Sequence, residues 1–473
     1  MNKIFLLLLT LVFLLTGSGC DKVLEVPGNA GAQIITSQVF TDSSSATAGV
    51  IGLYGNTSNL LTSGDLEYYT ALSSDVGNTS SASAADADFY MDQVLPGSQR
   101  TIGDAGRLWT EEYSFAAIFG ANVAIEAINA NTDSSLSAAV RNQLISECKV
   151  LRAVHYLNLV NLFGGVPLVL GSDWRTTALL PRASVDAVYD QIVRDLQDGA
   201  QFLSRSYPSA GRQRTNRYVA MGLLARVYLY RKQWDLAKVM ADSVINSGLY
   251  SLVNNLDNVF LDNSMEAIWQ IGSTSTSTPY SAPGTSNYVV TSFSGSFALA
   301  PSMIAAFEGG DKRMDHWVKT VQVFDGPTLQ FTTIQAQNKY KNNSTFNGAG
   351  GQEDQMIMRL AELYLIRAEA IAQLGDPVNA MADVNIIRNR AGLSPASASS
   401  LAEALGIILH ERQVELFIEW GHRWFDLRRM DSVNSVMNRV KPQYWPADGH
   451  AALYPISVNE LTANLNLVQN PGY

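Results

Sequence analysis

The most regular pattern of apolar and polar positions lies in residues 353–394 and predicts two antiparallel helices. Apolar side chains recur every three or four residues, first over 360–374 and again over 378–391. Gly375 ends the first helix, and Asp376 is placed to cap the second. Neither helix can bury its apolar face alone, so we expect another element to pack on this hairpin.

A second segment, residues 215–247, has the same pattern and predicts a similar helical hairpin. Both hairpins carry a pair of small residues twelve positions apart, Ala225 with Ala237 and Ala368 with Ala380. Tetratricopeptide repeats place small residues at such positions so that their two helices approach closely. The pattern therefore predicts two degenerate tetratricopeptide-type repeats, an arrangement typical of a helical binding scaffold.

Most of the remaining chain also has helical spacing, but two long stretches lack it. Further helices are predicted at 40–56, 107–131, 136–163, 185–203 and 401–420, and 215–231 is the first helix of the hairpin at 215–247. Short strands are predicted at 267–271 and 318–324. Residues 65–106 and roughly the hundred residues after Gly248 have no periodicity and are rich in small and polar side chains. Loops of such length are usually functional or disordered, so we expect ligand contacts there.

The N-terminal pattern predicts export and a lipid anchor. Lys3 precedes an apolar run over residues 4–15, and the small residues 17–19 then lead to Cys20. A basic start, a short apolar core and small residues form a secretory signal, and the run is too short to span a bilayer. Ordinary signal-peptidase cleavage is one interpretation. The other is a bacterial lipobox, with glycine in place of its usual leucine, in which 1–19 is the signal peptide and Cys20 is acylated.

Composition and charge narrow the class of partner. Cys148 is the only other cysteine and lies in a predicted helix, so we expect this exported chain to rely on a large core rather than on disulfides. The formal net charge is −10, which argues against a nucleic-acid partner. No second long apolar run follows the signal, so we expect the mature protein to contact the membrane through its lipid anchor only.

Three carboxylates on one predicted helical face suggest an enzymatic interpretation. Glu411, Glu415 and Glu419 lie four residues apart, a spacing that suits paired catalytic carboxylates or a metal site. We favour a structural role, because arginines lie nearby in sequence and buried carboxylates usually pair with guanidinium groups. These arginines are Arg412, Arg423, Arg428 and Arg429.

The sequence lacks the other motifs that would indicate an enzyme. His410 and Glu411 begin like a zincin helix, but Val414 occupies the place of the second histidine. There is no Gly-x-Ser-x-Gly elbow, no phosphate-binding loop and no Cys-x-x-Cys pair. We interpret Cys148 as a core residue rather than a nucleophile. The sequence therefore predicts no catalytic residue, no metal site and no cofactor.

Aromatic residues in the two non-periodic stretches are candidates for ligand binding. Sugar rings present apolar faces to aromatic planes, and their hydroxyls need polar side chains at the rim. The candidate ligand-binding residues are Asp75, Asn78, Phe89, Tyr90, Arg100, Tyr280, Tyr288 and Trp317. We expect residues 68–100 and 280–324 to converge on one face, with Trp317 as the main stacking platform. The alternative is that these rings pack beneath long loops.

An ordered set of motifs runs through much of the chain. It comprises Leu151-Arg152-Ala153, 163–167, 388–393, Glu411-Arg412, Glu415-Leu416, Glu419, Gly421, Arg423, 426–429, Tyr454-Pro455-Ile456 and the terminal 469–473. Together with Cys20, this set resembles the SusD/RagB family of outer-membrane nutrient-binding lipoproteins. The resemblance is specific, because several independent motifs occur in the same order from Cys20 to Tyr473.

The resemblance implies the architecture of the chain. It implies a mainly α, SusD-like fold with tetratricopeptide-type helical hairpins, long irregular loops and a few short strands. It also implies a single domain over 20–473. We divide this domain into an N-terminal helical part (20–250), a loop-rich insertion (251–352) and a C-terminal part (353–473).

The resemblance also implies a function. Family members bind oligosaccharides, or peptides in some branches, at the cell surface and pass them to a SusC-like TonB-dependent transporter. We therefore expect an outer-membrane lipoprotein with a glycan or peptide ligand and a transporter partner, and no enzymatic activity. Two alternatives stay open. An exported glycan-cleaving enzyme would shorten its ligand, and a periplasmic repeat scaffold would hold other proteins.

Overall fold

Helices dominate the part of the chain that can be described. The computed structural model describes residues 39–61, 65–79, 84–98, 101–114, 116–273, 281–283, 289–290, 297–325, 330–342 and 350–473. Within these ranges the fold is mainly α with a few short strands, as the sequence predicts. The predicted signal peptide and Cys20 lie outside the described residues.

The elements follow one another in an order that alternates helical regions with short strands. The first helices are α1 Ser43–Leu61, α2 Asp65–Ser73, α3 Ala84–Tyr90, α4 Gly106–Tyr113, α5 Ile118–Ala130, α6 Ala138–Phe163, α7 Trp174–Thr177 and α8 Val185–Phe202. The later helices are α9 Arg217–Tyr230, α10 Trp234–Ile245, α11 Pro301–Ile304, α12 Lys312–Trp317, α13 Leu360–Gln373, α14 Pro377–Arg390, α15 Leu401–Glu415, α16 His422–Arg429, α17 Val433–Val440 and α18 Val458–Ala463. The strands are β1 Gly77–Thr79, β2 Ala267–Ile271, β3 Phe297–Leu299, β4 Val318–Asp325, β5 Gln330–Gln337 and β6 Gln355–Arg359.

The two predicted helical hairpins stack on one another. Helices α9 and α10 form the first hairpin, α13 and α14 form the second, and α10 packs against α13. Arg226 of α9 donates two hydrogen bonds to the carboxylate of Glu362 in α13, each 2.7 Å long. Arg367 of α13 contacts Asp242 of α10 at 2.8 Å. The expectation that another element covers the second hairpin is confirmed, and α15 also packs on α13 and α14.

The predicted start and tip of the second hairpin need correction. The segment before Leu360 is not helical, because β6 pairs there with β2 and all five β6 residues are buried. The predicted apolar faces also include two residues that are exposed. Leu374 is 43% exposed and Val378 is 64% exposed, since both flank the turn at Gly375 at the tip of the hairpin.

Two other predicted helices are shorter than their apolar patterns suggest. The helix predicted at 107–131 is two helices, α4 and α5, because the chain is extended at Ser114, with ψ 173°. The helix predicted at 401–420 ends at Glu415. Beyond it, Ile418 and Trp420 have φ values of 54° and 47°, a left-handed conformation that interrupts a right-handed helix.

The strands form antiparallel pairs. Within the described ranges, β1 pairs with β3, β2 with β6, and β4 with β5. The strand predicted at 267–271 has the observed bounds of β2, and the strand predicted at 318–324 extends by one residue in β4. The β1–β3 pair joins the two non-periodic stretches to each other, and the β2–β6 pair joins the second stretch to the segment that enters α13.

The carboxylates on the predicted helical face are structural, as the sequence analysis favoured. Glu411 accepts a hydrogen bond from Arg313 at 2.6 Å, and Glu419 accepts one from Lys339 at 2.6 Å. Glu415 contacts Arg359 at 2.5 Å and also pairs with Arg390. These side chains are almost fully buried. They form a charge-paired network inside the core rather than a catalytic or metal site.

The predicted arginine partners of these carboxylates were wrong. Arg412 instead contacts Asp426 at 2.7 Å, and Arg423 contacts Asp75. The true partners come from distant parts of the chain, so sequence proximity could not identify them. Burial favours the neutral form of Glu415, but Arg390 and the other nearby cations outweigh it and hold the pKa of this carboxyl well below its usual range.

The core has a large and a small cluster. The large cluster runs through the N-terminal helices, the strands and the C-terminal segment, and the small one lies between α13, α14 and α15. Cys148 is fully buried in the large cluster, and burial raises the pKa of its thiol. A thiol held neutral in this way is a poor nucleophile, which fits its interpretation as a core residue.

Candidate ligand-binding cleft

A strand pair joins the two non-periodic stretches in which ligand contacts are expected. Asn78 in β1 lies opposite Ala298 in β3, and the ladder continues on both sides of this pair. Beyond it, the amide of Ala300 donates to the carbonyl of Val76 at 2.8 Å. The hydroxyl of Ser302 donates to the carbonyl of Asp75 at 2.8 Å. Parts of the two stretches therefore lie side by side at this point.

A cleft of about 340 Å³ opens beside this junction. Its walls come from the end of α2, from β1, α3 and the start of α11, and from the end of α17. The lining residues are Ser74, Asp75, Gly77, Asn78, Tyr90, Ala300, Pro301, Ser302, Val440 and Lys441. Three predicted ligand-binding residues, Asp75, Asn78 and Tyr90, are thus brought together. Their contact with a ligand stays a prediction.

Asp75 is fixed by an arginine from the C-terminal part of the chain. The carboxylate accepts two hydrogen bonds from Arg423, at 2.8 and 2.7 Å, and a longer one from Gln413 at 3.4 Å. Its side chain is almost fully buried. Bidentate pairing of this kind fixes both partners geometrically. Asp75 therefore shapes the floor of the cleft and carries a balanced charge.

Tyr90 is a half-buried aromatic side chain held in place by two neighbours. The ammonium of Lys441 lies 4.8 Å from the centre of its ring, and Tyr444 packs edge-on at 5.9 Å. Lys441 also donates to the carbonyl of Leu72 at 2.5 Å and lies 3.5 Å from Asp92. A ring fixed in this way loses little conformational freedom when a ligand packs on it.

Burial shifts the pKa values of the pair behind Tyr90, Lys441 and Asp92. Burial lowers the pKa of Lys441, although Asp92 opposes this effect. Burial also raises the pKa of Asp92 to about 7, with Lys441 acting in the opposite direction. In each case burial favours the uncharged form. The cleft presents the ring of Tyr90, the side chain of Asn78 and the hydroxyl of Ser302, while Asp75 and Lys441, which also line it, are paired with Arg423 and Asp92.

Two predicted ligand-binding residues lie in the core instead. Phe89 has no exposed surface and stacks on Tyr69 with ring centres 4.1 Å apart. Trp317 has no exposed surface either, and its indole N–H donates to the carbonyl of Leu256 at 3.0 Å. The expectation that Trp317 is the main stacking platform is corrected, because a fully buried ring cannot reach a sugar.

The remaining predicted site residues cannot be placed. Arg100, Tyr280 and Tyr288 lie outside the described residues. Sequence reasoning also missed Ser302 and Lys441, which line the cleft. Their place beside the cleft follows from the β1–β3 pairing and the packing of α17, which local sequence does not encode. The signal that could have pointed to this segment is the aromatic pair Tyr444-Trp445, which lies in a loop.

Comparisons with known proteins identify the family of this fold. The SusD family model matches residues 324–473. A second model, described as starch-binding and associating with the outer membrane, matches residues 44–229. The chain belongs to the SusD family. Together the two matches include all but the last residue of α9, the whole second hairpin, and the α2, β1 and α17 walls of the cleft.

Curated relatives of this SusD-family protein agree with that assignment. SusD-like protein P2 of Formosa agariphila is 27% identical over 428 residues, which cover 79% of this chain and 82% of the relative. SusD-like protein P25 of the same organism is 24% identical over 431 residues, covering 77% of this chain and 79% of the relative. Starch-binding protein SusD of Bacteroides thetaiotaomicron is 32% identical over 129 residues, covering 25% of this chain and 21% of that protein.

Solved structures confirm the SusD fold. A SusD superfamily protein from Bacteroides vulgatus superposes with a TM-score of 0.77 at 18% identity, covering 92% of this chain and 100% of that one. A laminarin-binding SusD-like protein superposes with a TM-score of 0.75 at 24% identity, again covering 92% and 100%. Within the described ranges, no helix is both long and apolar enough to cross a membrane.

Proposed function

We propose that this SusD-family protein binds oligosaccharides at the outer membrane and delivers them, uncleaved, to a SusC-like TonB-dependent transporter. The observation that carries this proposal is the cleft at the β1–β3 junction, where Asn78 and Tyr90 lie together. A fixed aromatic ring beside amide and hydroxyl groups matches the apolar faces and hydroxyls of a sugar. The volume of the cleft, about 340 Å³, lies within the usual range for small-ligand sites.

The names of similar proteins support a glycan rather than a peptide. One matching family model is described as starch-binding, and one similar structure is a laminarin-binding protein. The cleft itself also favours a neutral ligand, since its charges are balanced by nearby partners. Asp75 is paired with Arg423, and Lys441 lies 3.5 Å from Asp92. A peptide would leave its termini and charged side chains without partners among these residues.

The alternative of a glycan-cleaving enzyme fits the cleft less well. Most glycoside hydrolases use two carboxyl groups that flank the scissile bond. Among the described residues that line the cleft, Asp75 alone carries a carboxylate, and Arg423 already holds both of its oxygens. Incubation with candidate glycans separates the two functions, because an enzyme shortens them and a binding protein leaves their length unchanged.

Membrane attachment and surface exposure belong to the same proposal. Cys20 would carry the lipid, and the second family model is described as associating with the outer membrane. Protease added to whole cells tests the orientation. A surface-facing protein is degraded, whereas a periplasmic scaffold is protected. Gentle detergent extraction followed by pull-down of the tagged protein tests the partner, which should be a large outer-membrane barrel protein.

Calorimetric titration with a panel of purified oligosaccharides tests the binding site. Replacing Tyr90 with Ala removes an aromatic contact of about 1 kcal/mol, so the affinity should fall about five- to tenfold. Asn78→Ala should weaken binding by a similar factor, because a sugar hydroxyl loses its partner. Phe202→Ala is the matched control, since Phe202 is an exposed aromatic residue at the end of α8 and does not line the cleft. Unchanged affinity in both cleft variants would refute this site.

A further inference from the structure

A second cavity lies at a different place in the fold. It has a volume of about 420 Å³ and opens between α4, the start of α5, residues 167–178 and α18. It shares no lining residue with the cleft at the β1–β3 junction. Cavities of this size hold small ligands in many proteins. The proposed ligand site at the β1–β3 junction does not involve this cavity.

Aromatic side chains form one wall of this cavity, namely Trp109, Tyr113 and Phe119. The hydroxyl of Tyr113 donates to the carbonyl of Pro167 at 2.7 Å. The ring of Trp109 packs edge-on against Phe163 with centres 5.1 Å apart. The wall is therefore rigid before any ligand arrives, which reduces the entropy lost on binding.

Polar groups in fixed positions face this aromatic wall. Glu460 and Asn464, one turn apart near the end of α18, both line the cavity. Burial raises the pKa of Glu460, and a hydrogen bond from the side chain of Trp109 opposes this rise. The amide of Asn464 donates to the carbonyl of Leu180 at 2.9 Å. The amide oxygen of Asn464 accepts from the backbone N–H of Asn466 at 3.0 Å, so the carboxyl of Glu460 is the main group suited to accepting a hydrogen bond from a ligand hydroxyl.

An exposed tryptophan lies one helical turn before two of the lining residues. Thr177 and Ala178 line the cavity, and Trp174 lies three and four residues before them in the same helical turn, so it shares their face. Trp174 is 66% exposed, and the guanidinium of Arg175 lies 5.5 Å from the centre of its ring. An indole with this exposure can accept the apolar face of a ring that projects from the cavity.

We propose that this cavity is a second carbohydrate site, which holds a sugar ring between the aromatic wall and Glu460 and stacks the next ring on Trp174. The ligand class rests on the proposed glycan-binding function. The position, residues and independence of the site rest on its own geometry. An apolar protein segment would also fit the aromatic wall, but it would offer no hydrogen-bond donor to the carboxyl of Glu460.

The experiment counts glycan sites by calorimetry with maltohexaose and laminarihexaose, using the full mature chain. Wild type should bind two hexasaccharides per chain. The cleft variant Asn78→Ala/Tyr90→Ala should keep one. Adding Trp174→Ala to that variant should weaken the remaining site about five- to tenfold. Adding Glu460→Gln should weaken it as well, while keeping an oxygen that can accept from Trp109.

The melting temperature of each variant shows whether a loss of glycan binding reflects a loss of folded protein. Trp174 is largely exposed, so Trp174→Ala should leave the melting temperature unchanged. Phe202→Ala again serves as the control and should keep both sites. A change in glycan binding in the Trp174 variant with an unchanged melting temperature supports the proposal.

Three outcomes would overturn the second site, and they differ in what they say of the first. If the cleft variant loses all binding and Trp174→Ala alone changes nothing, the cleft is the single site and the proposed function stands. If Trp174→Ala leaves glycan binding intact but reduces recovery of the barrel partner, the cavity contacts a protein. If wild type binds neither hexasaccharide nor any other glycan of a broad array, both proposals fail.

Discussion

Trp317 is a core residue and is not available to a ligand. The Trp317 ring packs against the ring of Phe260, with centres 5.7 Å apart. The ammonium of Lys339 lies 4.8 Å from the centre of the Trp317 ring. Lys339 in turn contacts Glu419, and Arg359, which also contacts Glu419, lies 5.7 Å from the ring centre. The indole is thus the apolar neighbour of the buried charge network, and removing it would open a cavity beside these charges.

Trp317→Ala should therefore destabilise the protein without a specific effect on ligand affinity. Truncating a buried tryptophan costs about 3 to 5 kcal/mol, and Trp317 has no exposed surface. Urea denaturation measures this loss of unfolding free energy, and calorimetry measures glycan affinity on the folded fraction. Tyr90→Ala is the opposite case, with reduced affinity and a much smaller change in stability. A stable Trp317→Ala protein with weakened binding would contradict the core assignment.

Glu67 should make the stability of the protein depend on pH. Burial raises the pKa of Glu67 from 4.5 to about 7, although Gln355 donates a hydrogen bond that lowers it. The folded state therefore keeps a proton that the unfolded chain releases. The contribution of this group to stability is complete below about pH 4.5 and is lost as the pH rises through about 7.

Glu67→Gln keeps the neutral form at every pH and isolates this effect. Between about pH 5 and 8, the unfolding free energy of wild type should fall relative to the variant, by up to about 3 kcal/mol. Urea denaturation at several pH values measures the difference. The control is Glu403→Gln. Hydrogen bonds from Ser399 lower the pKa of the exposed Glu403, so this group stays ionised over that range in both states. Parallel curves for wild type and Glu67→Gln would refute the prediction.

At the scale of single residues, the sequence could suggest chemistry but not burial. Asn78 and Tyr90 carried polar and aromatic signals and do lie in one cleft. Trp317 carried the same signal but is buried, because α12 turns it toward Phe260 and Phe417, contacts that no local pattern encodes. Lys441 carried no such signal. Its contact with Tyr90 arises only because α17 packs beside Tyr90 in the folded chain.

Helices in this fold approach one another closely where a glycine allows it. Gly199 of α8 lies between α6 and α9, and an added Cβ would come within 2.8 Å of Val150 and 2.9 Å of Ala220. Gly406 of α15 has no atom within 4 Å of the same position. The two glycines are chemically identical, but only one is required by packing.

The same substitution at these glycines should have effects of opposite sign. Gly199→Ala should destabilise the protein by about 1 to 3 kcal/mol, because helices α6 and α9 must move apart. Gly406→Ala should stabilise it by about 0.5 to 1 kcal/mol, because alanine has the better helix propensity. Urea denaturation of both variants beside wild type measures the two changes. Equal shifts in one direction would show that helix propensity, not packing, governs both sites.

At the scale of elements, periodicity predicted the long helices well and their ends poorly. The predicted helix 136–163 corresponds to α6, and 185–203 to α8, each within two residues at either end. The helix predicted at 401–420 failed at its end, because Trp420 donates to the carbonyl of Met356 and Glu419 reaches Arg359. Such tertiary contacts hold the segment in a non-helical path, so apolar spacing alone could not mark the end of α15.

At the scale of the whole molecule, distant segments are tied together by charge pairs and hydrogen bonds. Arg423 near the C-terminus holds Asp75 near the start of the fold. Arg182 donates to Asn470 at 2.7 Å, and Asn470 donates to the carbonyl of Tyr454 at 2.8 Å. These contacts link described segments that are far apart in sequence, and the single domain over 20–473 stays a prediction. The ordered motifs were sufficient to predict the family and the fold. The cleft could not be predicted in this way, because it depends on contacts between segments about 350 residues apart.

We predict that the attachment of the whole molecule to the membrane depends on one cysteine, Cys20. The apolar run over 4–15 and the small residues before Cys20 predict that lipid is added to this thiol after export. Cys20→Ala should therefore release the protein from membranes into the soluble fraction and abolish labelling by a fatty-acid analogue. One acyl chain binds a bilayer only marginally, so firm retention of wild type requires more than one chain. Cys148→Ala is the matched control, because it removes the other cysteine and should leave both labelling and retention unchanged. Retention of the Cys20→Ala protein, with no fatty-acid label on wild type, would mean that a surface of the folded domain, rather than a lipid, holds the protein at the membrane.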